Sequence, residues 1–198
     1  IRLPLDTSNS QNTVPAETAR LLRIATYASV SVAVFLIIVK LIAWGRSDSV
    51  SLLATLVDSI LDAFASIINL IAVRHALTPA DKEHRFGHGK AEALAGLSQS
   101  LFIAGSSLFL LLEAAQTLFN PTEIKHALDG IVVMVISIIA TLILVSFQHY
   151  VIRKTRSVAI SADALHYKSD ILMNLAVILA LWLATMGLNV FDPIIGAI

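Results

Sequence analysis

Long apolar stretches separated by short polar segments dominate the chain. Three of them, residues 93–112, 130–152 and 171–191, contain no Asp, Glu, Lys or Arg. A fourth, residues 24–44, contains only Lys40, close enough to one end for its amine to reach the membrane surface. Because a bilayer crossing takes about 20 mostly apolar residues, each stretch is predicted to be a transmembrane helix.

The fifth candidate span, residues 52–73, carries Asp58 and Asp62 between apolar wings too short to cross alone. If it crosses, eleven of the 14 basic residues lie on one side and two on the other, with Lys40 inside a span. If it does not cross, nine basic residues lie on one side of the membrane and four on the other, a weaker asymmetry. Because cytoplasmic loops are enriched in Lys and Arg, we predict five spans and a cytoplasmic N-terminus, in the cell inner membrane.

The predicted fold class is all-α, a polytopic transmembrane helix bundle. Residues 1–19, rich in Ser, Thr, Asn and Pro, are predicted to be a disordered cytoplasmic tail, and residues 20–198 a transmembrane domain. Asp192-Pro193 and the apolar residues after it are typical of the start of a sixth span. Because the chain begins with Ile and stops inside that segment, we expect it to be a piece of a longer protein.

Composition supports a membrane location and excludes several classes. Of the 198 residues, 57% are hydrophobic and 14% charged, with a mean hydropathy of +0.81, whereas soluble domains carry roughly a quarter charged residues. Fourteen basic and 14 acidic residues give a net charge of zero, so no nucleic-acid partner is predicted. Without cysteine there is no disulfide, thiolate metal site or Cys nucleophile.

Metal-ligand side chains recur at helical spacing on two predicted spans. Asp58 and Asp62 are separated by four residues, as are His166 and Asp170, so each pair lies on one helix face. The apolar run 171–182 is too short to cross alone, so the fifth helix must also include His166 and Asp170. Three carboxylates and one imidazole suit a tetrahedral Zn²⁺. A proton relay, or an ion pair with Lys40, is the alternative.

A second candidate metal site lies in the loop between the second and third spans. Asp81, His84 and His88 give the spacing Asp-x2-His-x3-His, which can bring three ligands together on a turn or short helix. Exposed histidines are also often only solvated. From the residues alone, metal binding and solvation therefore both stay open.

A buried site of this type favours transport. Ligands must lose protons to bind metal, so metal and protons displace one another. We predict a divalent metal cation/proton antiporter that exports Zn²⁺ by alternating access, with Fe²⁺, Cd²⁺, Co²⁺ and Mn²⁺ as further candidates. The alternatives are an intramembrane aspartyl-type enzyme and a passive metal channel or sensor.

A small-residue face and two acidic residues predict further contacts and positions near the membrane surface. Gly96, Ser100 and Ala104 form a small-residue face on the third span, which predicts close helix contact within or between subunits. Glu92 and Asp163 are interpreted as acids at the membrane interface.

The order of these motifs resembles the cation diffusion facilitator family, most closely its bacterial zinc and ferrous-iron efflux branch. The resemblance rests on Val57-Asp58-Ser59-x2-Asp62, on Leu165-His166-x3-Asp170, and on the loop run from His84 to Glu92. It runs from about residue 20 to the end of the chain, through five of the family's six spans.

The resemblance implies roles at particular positions. It places the transport site at Asp58, Asp62, His166 and Asp170, and a loop metal site at Asp81, His84 and His88. It also places a charge interlock at Lys90. It further implies a transporter and not an enzyme, with no cofactor, that works in the lipid bilayer as a homodimer with an additional cytoplasmic domain.

Overall fold

The protein is described here by a computed structural model that covers residues 14–47, 50–80, 82, 84, 87–119 and 127–185. In these ranges the regular structure is entirely helical, which confirms the all-α prediction. The five helices are α1 (Ala16–Ser47), α2 (Val50–Ala76), α3 (Lys90–Phe119), α4 (Ala127–Thr155) and α5 (Val158–Thr185).

The helices extend beyond the apolar stretches that predict them. α1 begins at Ala16, inside the segment predicted as a tail, with Ala19 N donating to Pro15 O at 3.0 Å. The rest of that tail, residues 1–13, and the predicted start of a sixth span lie outside the described residues. α5 begins at Val158, before the apolar run that starts at residue 171. Helical structure therefore extends through polar sequence beyond the apolar runs at the starts of α1 and α5.

Among the described residues, three helical segments are long and apolar enough by themselves to cross a bilayer: Ala16–Arg46, Thr55–Ala76 and Gly130–Thr155. α5 differs because its first half carries Asp163, His166, Lys168 and Asp170. Charged groups of this kind are tolerated in a membrane when they face the bundle interior, which is where the structure places Asp163 and His166.

Neighbouring helices form a closed ring in the order α1, α2, α3, α5, α4 and back to α1, with weaker direct contact between α2 and α5. α1, α3 and α5 begin at the end of the bundle where α2 and α4 finish; we call this the basal end. A buried apolar cluster at the basal end takes residues from all five helices, namely Leu22, Ala25, Val73, Ala95, Val151, Ala159 and Ile160. Ring neighbours therefore run antiparallel, except α3 and α5, which run parallel.

The bundle is apolar outside, while its interior combines apolar and polar side chains. Large apolar side chains are exposed along the helices, among them Ile71, Leu101, Ile143 and Leu172, each more than 60% exposed. Buried polar residues include Ser66, Gln99 and Gln148. Such a surface is stable in lipid and not in water, so the chain is a membrane protein.

A tight turn between α4 and α5 fixes where α5 starts. Arg156 takes a left-handed conformation with φ of 54°, and its N–H donates to Ile152 O at 2.8 Å, which ends α4. Ser157 then caps α5 by accepting from Ile160 N at 3.2 Å. Glu92 on α3 accepts from Val158 N at 2.9 Å. Glu92, in the first turn of α3, is therefore a capping residue for α5, a role that the sequence did not reveal.

The small-residue face on α3 meets α5 at one position. A methyl group at Gly96 would lie 3.1 Å from Cγ1 of Val158, closer than ordinary van der Waals contact. Ser100 donates to Gly96 O at 2.9 Å, while Ser100 and Ala104 themselves are exposed. Of the two contacts that the sequence left open, Gly96 makes the one within the subunit.

We expect Gly96→Leu to separate α3 from α5 and to destabilise the bundle by about 1–3 kcal/mol, the usual cost of overpacking. Gly105→Leu is the matched control, because Gly105 lies on the same helix with nothing within 4 Å of the added carbon. Thermal unfolding in detergent would compare the two variants. Equal midpoints would contradict the close contact at Gly96.

Candidate metal site

α2 and α5 bring three predicted ligands together inside the bundle. His166 Nε2 lies 3.0 Å from Asp62 Oδ1 and 3.9 Å from Asp170 Oδ2. One ligand atom from each of the three residues lies within 4.8 Å of the others, and no other described group of three or more His, Cys, Asp or Glu residues does so. The imidazole is 4% exposed, and the carboxylates of Asp62 and Asp170 are 14% and 28% exposed.

These distances match the size of a dication. Zinc binds imidazole nitrogen and carboxylate oxygen at about 2.0–2.2 Å, so neighbouring ligand atoms on a tetrahedral ion are roughly 3.3 Å apart. The two distances from His166 Nε2, 3.0 and 3.9 Å, lie on either side of that value. The three ligand atoms are therefore close enough together to face one ion, with Asp170 farther from the imidazole than Asp62.

Asp58, the fourth predicted transport-site residue, lies outside this group. Its side chain is exposed, one helical turn before Asp62 on α2. Residues four apart on a helix have Cβ atoms about 5–6 Å apart. The structure thus assembles three of the four predicted ligands and holds Asp58 on the adjoining turn.

Lys40 on α1 points into the bundle. Its side chain is 9% exposed, and its ammonium donates to Thr55 O at 3.0 Å and to Ser59 Oγ at 2.6 Å, both on α2. It also interacts electrostatically with Asp58, Asp62 and Asp170. The prediction that Lys40 reaches the membrane surface was wrong, because the carboxylates of α2 and α5 offer it a charged environment inside.

A buried polar network anchors α5 next to the ligand group. Asp163 is fully buried and its Oδ2 accepts from Ser29 Oγ at 2.6 Å and from Gln148 Nε2 at 2.7 Å. The hydroxyl of Tyr167 lies 2.9 Å from Ser66 Oγ and donates to Ser29 O at 3.2 Å. These bonds join α5 to α1, α2 and α4, which fixes the helix face that carries His166.

Sequence reasoning missed most of this network and misjudged Asp163. Asp163 lies three residues before His166 and four before Tyr167, so it shares a helix face with each of them. Ser29 and Gln148 are polar residues within otherwise apolar spans, which in membranes face other helices. Reading these two signals together would have identified Asp163 as a buried group.

The loop residues occupy the basal end, between α2 and α3. Two ring contacts are present: His84 and His88 have centroids 4.6 Å apart, and His75, near the end of α2, has its centroid 4.4 Å from that of His88. Asp81 lies outside the described residues. Lys90 is the exposed first residue of α3.

Ionisable side chains that face the interior of a membrane bundle, as two carboxylates and an imidazole do here, are typical of ion and proton pathways. Residues 26–198 match the family model described as the cation efflux transmembrane domain. The chain therefore belongs to the cation efflux family, as its motifs predicted.

Relatives with curated descriptions agree with this assignment. The cation-efflux pump FieF of Cronobacter sakazakii is 52% identical over 175 residues, covering 88% of this chain and 58% of the relative. FieF of Serratia proteamaculans is 49% identical over 176 residues, covering 89% of this chain and 59% of the relative. The chain thus spans less than two thirds of these relatives' length. Both are named as pumps, which counts against the intramembrane-enzyme alternative.

We expect Tyr167→Phe to destabilise the bundle by about 1–2 kcal/mol, because it leaves the buried Ser66 hydroxyl without its partner. Tyr150→Phe on the exposed side of α4 is the matched control, and its effect should stay within about 0.5 kcal/mol. Unfolding midpoints in detergent measure both. A Tyr167→Phe protein as stable as the control would show that the network does not anchor α5.

Proposed function

We propose that this chain is the membrane part of an exporter that moves a divalent metal cation, with Zn²⁺ as first choice, out of the cytoplasm in exchange for protons. The observation that carries the proposal is the group formed by Asp62, His166 and Asp170 within the bundle. Its relatives' printed name, cation-efflux pump, supports export of a cation.

The ligand chemistry supports a borderline transition-metal dication. One imidazole and carboxylates suit Zn²⁺, Fe²⁺, Co²⁺, Mn²⁺ and Cd²⁺, and the lack of sulfur disfavours Cu⁺. Asp58 completes a tetrahedral set by turning its carboxylate toward the ion from the adjoining turn of α2. Three carboxylates around a 2+ ion leave a net charge of about −1, which costs far less in a membrane interior than three bare anions.

Proton exchange follows from the same ligands. A carboxylate or an imidazole binds metal only after it has lost its proton, so each arriving ion releases protons and each arriving proton weakens metal binding. An ordinary imidazole titrates near pH 6.5, within the range that a transmembrane proton gradient covers. The Lys40 amine lies close to these carboxylates and is held there by its bonds to Thr55 O and Ser59 Oγ.

The helix arrangement supports alternating access around this site. α2 and α5 carry the ligands, yet they contact each other less than either contacts its ring neighbours. Their relative position is therefore sensitive to what lies between the ligands. We propose that α2 and α5 move against the rest of the ring to open the site to one side of the membrane and then to the other.

The remaining roles are assigned with the same proposal. The transporter lies in the inner membrane with its N-terminus and basal end in the cytoplasm, and it works as a homodimer in which Lys90 takes part in a charge interlock. Asp81, His84 and His88 form a regulatory or delivery site for the same metal. The ring contact between His84 and His88, with centroids 4.6 Å apart, supports this role.

The decisive variant is Asp62→Asn in the full-length protein. Removal of one ligand should weaken Zn²⁺ binding on the order of a hundred-fold or more, since even outer-shell partners of a metal contribute about 10–100-fold. Zinc/proton exchange in reconstituted vesicles should be lost in parallel. Glu17→Gln is the matched control, because it removes one carboxylate charge from the exposed start of α1.

Retained exchange in Asp62→Asn would place the transport site elsewhere. Zinc flux that persists without any dependence on the pH gradient would instead favour a passive channel, and peptide cleavage without flux would favour the enzyme. Exchange, the pH dependence of flux and peptide cleavage are measured separately, so each of these outcomes would contradict the proposed antiporter on its own.

We also expect zinc binding to release protons. Added Zn²⁺ should acidify a weakly buffered sample of detergent-solubilised protein, and its apparent affinity should fall as the pH is lowered through the range where imidazole and carboxylates gain protons. Calorimetric titrations in buffers of different ionisation enthalpy measure the number of protons. Binding without proton release would contradict coupling at this site.

A further inference from the structure

We propose that His75 is a third imidazole ligand of the basal metal site and binds one Zn²⁺ or Co²⁺ together with His84 and His88. The proposal rests on the loop site proposed above and adds to it a residue from α2 that the loop motif does not contain. With His75 the site has three imidazoles, whereas the loop motif supplies only two. Three imidazoles suit a borderline transition-metal dication.

The backbone fixes His75 at the end of α2. His75 is the next-to-last residue of the helix, and its carbonyl accepts from Thr78 N at 3.0 Å and also from the Thr78 hydroxyl. The neighbouring Arg74 extends the other way, with its guanidinium carbon 5.6 Å from the ring centroid of Tyr27 on α1. The Arg74 guanidinium therefore packs on α1, while the ring of His75 packs on that of His88.

The loop positions the other two imidazoles by backbone bonds as well. Gly87 N donates to His84 O at 2.9 Å, and Gly87 has a φ of +75°, a left-handed conformation that favours glycine. Ala91 N donates to His88 O at 2.9 Å where α3 begins. This turn reverses the chain between His84 and His88 and brings their rings together.

Ring separations agree with shared coordination. The centroid of His88 lies 4.4 Å from that of His75 and 4.6 Å from that of His84, so His88 is the middle ring of the three. With metal–nitrogen bonds of about 2.0–2.1 Å, two imidazoles on one tetrahedral ion have centroids roughly 5 Å apart. The ligand atoms of the three histidines do not all lie within 4.8 Å of one another, so binding requires the rings to turn their nitrogens toward one point.

The site is accessible and separate from the transport site. His75 and His84 are exposed and His88 is half-buried, so an ion reaches them from solvent. Thirteen residues of continuous helix separate His75 from Asp62, a distance of about 20 Å along α2. An ion bound by His75 would connect the end of α2 to the start of α3, whereas the loop motif alone leaves α2 outside the site.

The test uses the full-length protein with Asp62→Asn, which weakens the transport site, and Co²⁺ as the probe. The visible absorption of tetrahedral Co²⁺ is titrated in this parent and in a variant with His84→Ala, and the difference isolates the basal site. His75→Phe is then added to the parent, because phenylalanine keeps a ring against His88 and removes the nitrogen ligand. His149→Phe, at an exposed histidine of α4, is the matched control.

We expect His75→Phe to weaken Co²⁺ binding at the basal site tenfold or more and to change its absorption bands, with no change in His149→Phe. Equal binding by His75→Phe and the parent, while His84→Ala removes one bound ion, would show that His75 only packs against His88. If His84→Ala removes no ion, the basal site itself is absent and both proposals fail there. Zinc exchange by the protein with Asp62 intact tests the transport site independently of either result.

Discussion

A carboxylate taken into a membrane interior costs about 2.5–3.5 kcal/mol on insertion scales unless something neutralises it. In this bundle the Asp62 carboxylate on α2 is compensated by His166 on α5, 3.0 Å away. Asp170 lies next to the same imidazole, and Lys40 interacts electrostatically with both carboxylates. Either protons or a dication can compensate the same carboxylates. The group is therefore suited to exchange one for the other, and the balance of charge between α2 and α5 is what a transport cycle would alter.

The rest of the bundle supports that contact. Asp163 and Tyr167 hold α5 to α1, α2 and α4 through buried hydrogen bonds, and Glu92 with Ser157 fixes where α5 begins. On the other side, the Lys40 ammonium joins α1 to α2 next to Asp58 and Asp62. Helices that carry ligands are thus tied to neighbours by polar bonds, whereas their contact with lipid is apolar and non-directional. The contact between the Tyr167 and Ser66 hydroxyls also ties α5 directly to α2.

Sequence patterns predicted the helices well, because about 20 apolar residues in a row have few alternatives to a membrane span. They also paired Asp62 with His166 and Asp170, since i, i+4 spacing fixes a helix face. They failed where partners come from distant segments. Glu92 on α3 caps α5, and Asp163 is hydrogen-bonded by Ser29 and Gln148 from two other helices. The Lys40 amine lies near carboxylates on α2 and α5. His75 contacts the ring of His88, which lies beyond the turn after α2. Asp58 is the converse case: its spacing predicts a ligand, while the rotamer in the structure leaves it exposed on the adjoining turn.

X-ray absorption at the zinc edge tests the central claim most directly, on full-length protein in which His84→Ala and His88→Ala have removed the basal ligands. Subtraction of the spectrum of the same protein with Asp62→Asn isolates the ion in question. We predict four nitrogen or oxygen neighbours at about 2.0–2.1 Å, with the scattering signature of a single imidazole that disappears in His166→Ala. A six-coordinate shell without imidazole, or an imidazole signal that survives His166→Ala, would contradict a metal held between α2 and α5.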